Sequence, residues 1–338
     1  MADALAGIIY GALSDSYGRK KILLFGVFTF GLTSFLLAQV TSIGEFLALR
    51  ILQGIGISAL GSAAYPVMRD IFSGKDFARA SSISSTVFLF APAFAPTIGG
   101  FLVKYYGWRS IFYFMFYFAI FGFLLLLLIP ETLNKNHRKP FHPISILSDF
   151  KRVILNKKVM GYICINFCCM GAFFCFLTNS PLIFMSVYKM SPIDFGYLMG
   201  FFAIFIAINN LISFSVVKKF EVITLFRFGI LLRLFISFII LAITLIDSNI
   251  YLFTIAILAF VASGAYIMPF AESLIMDNFT TGTGVISAVI FVIGSVIIFF
   301  AIFLLSFIKI TSPIPLAVFM CGLMVLGVLI YTLLNKFK

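Results

Sequence analysis

The chain has 338 residues, 62% of them hydrophobic and 11% charged, with a mean hydropathy of +1.15. Soluble domains carry about 45–50% apolar and about 25% charged residues, so this composition excludes an ordinary soluble enzyme, a zinc module, a secreted disulfide scaffold and a nucleic-acid binder. The formal charge of +12 therefore matters through its placement about a lipid bilayer rather than as an attraction to nucleic acid.

Apolar stretches recur along the chain with short polar breaks. The first, Ala2 to Leu13, would reach only ~18 Å as a helix at 1.5 Å per residue, short of a ~30 Å hydrocarbon core. It reads as a half-helix. Ten full spans follow, at about 22–40, 46–72, 80–102, 110–129, 160–185, 196–217, 222–246, 250–276, 284–307 and 315–334. The fold class is all-α integral membrane. A half-helix starting at Met1 would place Asp3 in hydrocarbon, at a cost of about 2.5–3.5 kcal/mol on insertion scales, so we expect sequence upstream of Met1. The alternative is a short protein in which Asp3 reaches water.

With the Ser14–Lys21 segment placed on the cytoplasmic side and the spans alternating, seventeen Lys and Arg fall inside and four (Lys104, Arg109, Lys189 and Lys309) outside. That bias sets the C-terminus in the cytoplasm. The polar stretch Pro130 to Lys158 divides the chain into a truncated N-terminal bundle (1–129), a cytoplasmic linker (130–158) and a C-terminal six-helix bundle (159–338). Within the linker, Ile146, Leu147, Phe150, Val153 and Ile154 recur at helical spacing, which fits a helix on the inner membrane surface as well as it fits a solvated connector.

Several residues carry more than hydropathy. In Gly11-Ala-Leu-Ser-Asp15-Ser-Tyr-Gly18-Arg19-Lys20-Lys21, Gly11 permits close helix approach and Gly18 a tight turn, Asp15 can attract a helix N-terminus, and the basic trio suits an anionic inner face. Arg50 lies in an apolar span, where an unpaired cation costs about 2.5–3.5 kcal/mol, so it should face the bundle interior or a wet cavity; snorkelling to the outer surface is the alternative. Pro92, Pro96, Gly99 and Gly100 interrupt one span. Glu272 follows Pro269 and divides evenly between a cation or proton site and a solvated edge. Asn166, Asn209 and Asn210 are cavity candidates or inter-helix glue. Arg233 lies deep in a span with no role assigned by the sequence.

Cys164, Cys168, Cys169 and Cys175 share one span and read as small packing residues rather than metal ligands, and His137 and His142 both lie in the linker. The sequence contains no Gly-x-x-x-x-Gly-Lys-Ser/Thr loop, no catalytic triad and no metal-ligand set, so we expect no cofactor and no enzymatic activity.

The Gly11–Lys21 segment resembles the loop between helices two and three of the major facilitator superfamily. Arg50-Ile-Leu-Gln53-Gly54, with Met68-Arg69-Asp70 after it, resembles the helix-four motif of proton-coupled members. Ala91-Pro92-Ala-Phe-Ala95-Pro96-Thr-Ile-Gly99-Gly100 resembles the helix-five antiporter motif, with Ala95 where many members carry Gly. Gly107-Trp108-Arg109, Pro130-Glu131-Thr132-Leu133 and Asn179-Ser-Pro181 complete an ordered series similar to the bicyclomycin-resistance (Bcr/CflA) drug:proton antiporters. Against that branch the chain lacks helix one, with its acidic residue, and the start of helix two, leaving about eleven of twelve helices.

The resemblance implies a bacterial inner-membrane exporter, acting as a monomer, that exchanges protons for a small amphipathic or cationic compound by alternating access. It implies gating and coupling roles for Gly11, Asp15, Gly18, Arg19, Lys20, Arg50, Asp70, Pro92, Pro96, Gly99 and Gly100, with Arg19 pairing with Asp70 and Asp15 attracting the span that begins near Gly282. Arg50, Asn166, Asn209, Asn210 and Glu272 are the substrate-cavity candidates. A dedicated metabolite or siderophore exporter and an inactive truncated remnant remain the alternatives.

Overall fold

The computed structural model describes residues 2–72, 95, 97–133, 151–216, 220–246, 249–279 and 283–335. The helices are α1 (Ala2–Tyr17), α2 (Arg19–Leu37), α3 (Ile43–Ile71), α4 (97–106), α5 (Arg109–Leu128), α6 (Lys157–Pro181), α7 (Pro192–Val216), α8 (Val222–Ile246), α9 (Ile250–Ser263), α10 (Met268–Met276), α11 (Thr283–Ser306) and α12 (Ile314–Asn335). Among the described residues, nine helical stretches are long and apolar enough to cross a membrane, with α9 and α10 forming one such stretch. The fold is all-α and membrane-embedded.

Local sequence explains where these helices start. Ser42 caps α3 by accepting from the Glu45 N–H at 3.2 Å, a Ser-x-x-Glu pattern. Asn156 caps α6 through the Val159 N–H, and Asn249 caps α9 through the Tyr251 N–H. Pro181 closes α6, and the backbone widens into a π-helical turn over Leu182–Val187.

Three elements depart from the hydropathy reading. The expected loop at Ser14–Lys21 is helical on both sides of Gly18: α1 runs on to Tyr17 and α2 begins at Arg19. Gly18 alone makes the break, at φ 109°, a conformation a β-carbon would strain. The expected continuous span at 250–276 is broken by a 3₁₀ turn at Gly264–Tyr266. In the linker, residues 151–155 form a helical turn; residues 134–150, which hold most of the expected surface helix, lie outside the described residues.

The chain forms two compact units, Met1–Ala91 with Ile98–Ile146, and Pro92–Thr97 with Leu147–Lys338. In the first, α2 packs against α3 and α5, and α1 against α3. Gly26 and Gly56 bring the α2 and α3 backbones into contact. A β-carbon built on Gly56 would lie 2.9 Å from the Phe30 backbone nitrogen, and one on Gly26 would lie 2.8 Å from the Gly56 carbonyl oxygen.

In the second unit α6 is central, packing on α11 and α12. Its small residues allow this: Gly171 faces Ala301, and Cys168 faces Gly327. Cys168, Cys169, Cys175 and Cys321 are buried free thiols, and Cys164 is half-buried. The break between α9 and α10 is held from two neighbours. Ser213 of α7 donates to the Ala265 carbonyl at 2.8 Å, while Gly229 of α8 lies so close to Tyr266 that an added β-carbon would sit 2.7 Å from the Tyr266 carbonyl oxygen.

Candidate functional site

Among the described residues of the first unit, the densest polar cluster forms where α1 gives way to α2. Because Gly18 turns the chain without a side chain of its own, the first N–H groups of α2 have no local cap. They are capped instead from 112 residues away in sequence: Glu131, just beyond α5, accepts from the Arg19 N–H at 2.9 Å through Oε1. Its Oε2 accepts from the Lys20 N–H at 3.3 Å, and Oε1 also takes the Leu133 N–H at 3.1 Å. A carboxylate at a helix N-terminus meets both the orphan donors and the positive end of the helix dipole.

The Arg19 side chain is only 10% exposed and forks among three helices. Its Nη1 forms an ion pair with Asp15 Oδ1 and donates to Ser14 Oγ at 2.7 Å; its Nε donates to Asp70 Oδ2 at 3.2 Å. Asp70, at the end of α3, accepts in turn from Thr132 Oγ1 at 3.3 Å. Lys20 Nζ donates to the Leu127 carbonyl at 2.9 Å, placing a cation at the C-terminal end of α5. A cavity of about 220 Å³ adjoins the cluster, lined mainly by Leu23, Val67, Leu126 and Ile129 beside Arg19 and Lys20. The arrangement ties the ends of α1, α2, α3 and α5 together through groups that can exchange partners.

The structure thus brings Asp15, Gly18, Arg19, Lys20 and Asp70 into one cluster, with Gly11 one turn upstream accepting from Ser14 Oγ at 2.8 Å. Arg50 is not part of it. Twenty residues separate Arg50 from Asp70 along α3, roughly 30 Å at 1.5 Å per residue. Arg50 is exposed within its unit and begins a separate polar chain: its Nη1 donates to Gln53 Oε1 at 2.6 Å, and Gln53 Nε2 donates to Ser34 Oγ at 2.7 Å. Gln53 is 4% exposed and Ser34 fully buried.

Of the helix-five residues, Gly99 is half-buried and Gly100 buried in α4, while Pro92 and Pro96 lie outside the described residues, as does Gly282. In the second unit Asn166 is buried in α6, and its Oδ1 has no hydrogen-bond partner among the described residues. Asn209 donates to the Phe205 carbonyl of its own helix at 3.1 Å, and Asn210 is half-buried beside it. Glu272 is exposed on α10, on the face that carries Pro269 and Ser273. Arg233 is 4% exposed, with its guanidinium stacked 4.2 Å from the Phe260 ring centroid.

Sequence reasoning did not assign Glu131, Thr132 or Ser34. An acid immediately after an apolar span, as in Pro130-Glu131-Thr132, was the available signal for the first two. Nothing in the sequence distinguishes Ser34 from any other small membrane-helix residue.

Residues 1–301 match the sequence profile of the Major Facilitator Superfamily. The chain belongs to the major facilitator superfamily. It is 27% identical to the bicyclomycin resistance protein homolog of Haemophilus influenzae, over 98% of this chain and 84% of that protein. It is 27% identical to the multidrug transporter MdfA of Yersinia pestis, over 85% of this chain and 72% of that protein. A shorter match, 27% identical over 62% of this chain, reaches the chloramphenicol resistance protein CraA of Acinetobacter baumannii and spans about half of that relative (51%). The fold is similar to the D-xylose-proton symporter, with a TM-score of 0.75 at 17% identity, covering 99% of this chain and 86% of that one. The inward open xylose transporter XylE of E. coli gives 0.73 at 16% identity, covering 98% and 84%. The major facilitator fold carries membrane transport of small molecules, and this chain is a multi-pass transporter of that superfamily.

Proposed function

We propose that this transporter exports drugs or other small amphipathic compounds in exchange for protons, by alternating access between two helical bundles. The observation that carries the reading is the Arg19 fork. A nearly buried guanidinium shared by Asp15, Ser14 and Asp70 holds three helix ends in one arrangement, and releasing any partner frees those ends to move. The relatives named for bicyclomycin, chloramphenicol and multidrug resistance support drug-like cargo.

In this reading the cluster is a cytoplasmic gate, and Pro92, Pro96, Gly99 and Gly100 have the gating and coupling role that the helix-five resemblance implies. Arg50 tunes the coupling site, while Glu272 with Asn166, Asn209 and Asn210 contributes to substrate binding. The excess of Lys and Arg on one side supports an inner-membrane protein with a cytoplasmic C-terminus, a linker at 130–158 and bundles at 1–129 and 159–338.

The test is dye or drug efflux from reconstituted vesicles with the proton gradient intact and collapsed. Gradient-driven efflux is expected, reduced by Asp15→Asn at unchanged expression and abolished by Arg50→Ala. Solute movement indifferent to ionophores would overturn the coupling, and full gradient-driven efflux in Arg50→Ala would remove Arg50 from it.

A further inference from the structure

The polar chain that starts at Arg50 has a fixed direction, and both of its ends demand it independently. A guanidinium only donates, so the Gln53 atom 2.6 Å from Arg50 Nη1 is the amide oxygen. At the other end, Ser34 Oγ lies 2.7 Å from the Phe30 carbonyl oxygen one turn back in α2. A carbonyl only accepts, so the Ser34 proton is committed to Phe30. The serine oxygen then has only lone pairs to offer Gln53, whose NH₂ must face it at 2.7 Å. Every link donates the same way: Arg50 to Gln53, Gln53 to Ser34, Ser34 to the backbone of α2.

We propose that Ser34 is a positioning residue for Arg50, acting through Gln53 to hold an amide oxygen, rather than an amide N–H, against the guanidinium. The proposal rests on the reading of Arg50 as a coupling residue and names what orients it. Two features make the serine decisive. Gln53 is 4% exposed, so water does not replace a lost partner at its NH₂. The contact of the α2 and α3 backbones at Gly26 and Gly56 keeps Ser34 and Gln53 from drifting apart. Without the serine hydroxyl, the Gln53 NH₂ is a buried donor with no other acceptor among the described residues. Rotation of the amide by half a turn then brings that NH₂ against Arg50, donor facing donor.

The experiment labels the full chain with phenylglyoxal, which modifies free guanidinium groups, and reads Arg50 relative to Arg109 by mass spectrometry of the same digest. Ser34→Ala should raise the Arg50:Arg109 labelling ratio by about threefold or more, the lower end of what one net hydrogen bond contributes, since Arg50 is exposed. Ser34→Thr, which keeps the hydroxyl, should hold the wild-type ratio. Gln53→Met should raise the ratio on its own, and the Ser34→Ala/Gln53→Met pair should raise it no further, since both act through one link. In gradient-driven efflux, Ser34→Ala should shift the pH profile as Gln53→Met does, with Ser34→Thr restoring it.

A wild-type labelling ratio in Ser34→Ala, or additive effects in the pair, would overturn the positioning role. That result is read without transport, so it is separable from failure of the coupling reading, which Arg50→Ala tests alone.

Discussion

Glu131→Ala removes the only side chain among the described residues that caps the start of α2, because the residue in the capping position is Gly18. Loss of a helix cap costs about 0.5–2 kcal/mol, and loss of an anion from a helix N-terminus a further 0.3–1 kcal/mol or so. Glu131 is exposed, so solvent and salt screen part of this, and about 1–2 kcal/mol is expected. At about 2–4 °C per kcal/mol, the melting transition of the first unit should fall by roughly 2–8 °C.

The chain supplies a separate probe for each unit. Its single tryptophan, Trp108, lies in the first unit, stacked with Arg109 and against Phe112, so its emission follows that unit. All five cysteines lie in the second, four of them buried, so the onset of labelling by a thiol-reactive dye follows that unit. Glu131→Ala should lower the Trp108 transition and leave the thiol transition in place. Glu131→Gln, which keeps one acceptor oxygen, should lower it by less. A Trp108 transition equal to wild type, or an equal fall in both transitions, would refute the reasoning.

Three further outcomes use the same preparations. Gly56→Ala puts a β-carbon 2.9 Å from the Phe30 backbone nitrogen, which a side-chain rotation cannot relieve, so the Trp108 transition should fall by the equivalent of about 1–3 kcal/mol, and an unchanged transition would show that α2 and α3 part freely. Arg233 is buried with no carboxylate within 4.0 Å among the described residues and its Nε unsatisfied, so Arg233→Met should keep or raise the thiol transition, by up to about 1–2 kcal/mol, while Arg233→Ala, which opens a cavity, should lower it by about 2–4 kcal/mol. A fall in Arg233→Met would mean the charge itself stabilises the fold. If Glu272 selects cations, Glu272→Gln should weaken efflux of cationic compounds roughly fivefold more than of neutral ones, the difference between a charged and a neutral hydrogen bond; equal loss of both would end that role.

Apolar run length made most of the fold legible, because a membrane-spanning helix must be apolar for its whole crossing. Hydropathy is blind to backbone continuity within such a run, and so the 3₁₀ turn at Gly264–Tyr266 passed inside an unbroken apolar stretch; its marks were Gly264 and Pro269, the latter at the start of α10 without an N–H to continue the helix. The same blindness turned Ser14–Tyr17 into an expected loop: polar residues ended the apolar run, but the helix continues because Ser14 and Arg19 find partners there. Residues whose chemistry is anomalous in a membrane, such as Arg50 and Arg233, were visible at once. Gln53, the direct partner of Arg50, stood in the same motif, but Ser34 behind it and Phe260 against Arg233 did not show, since both are ordinary in an apolar helix and become specific only through the contacts that folding creates.

The close approach of Gly229 to Tyr266 restricts what this lineage can become. A side chain at position 229 cannot be accommodated while the neighbouring helix keeps its interruption at 264–267, because the obstacle is a carbonyl group rather than a movable side chain. Any descendant that fills position 229 must therefore reshape that interruption in the same step, which ties two distant stretches of the gene to a shared evolutionary fate.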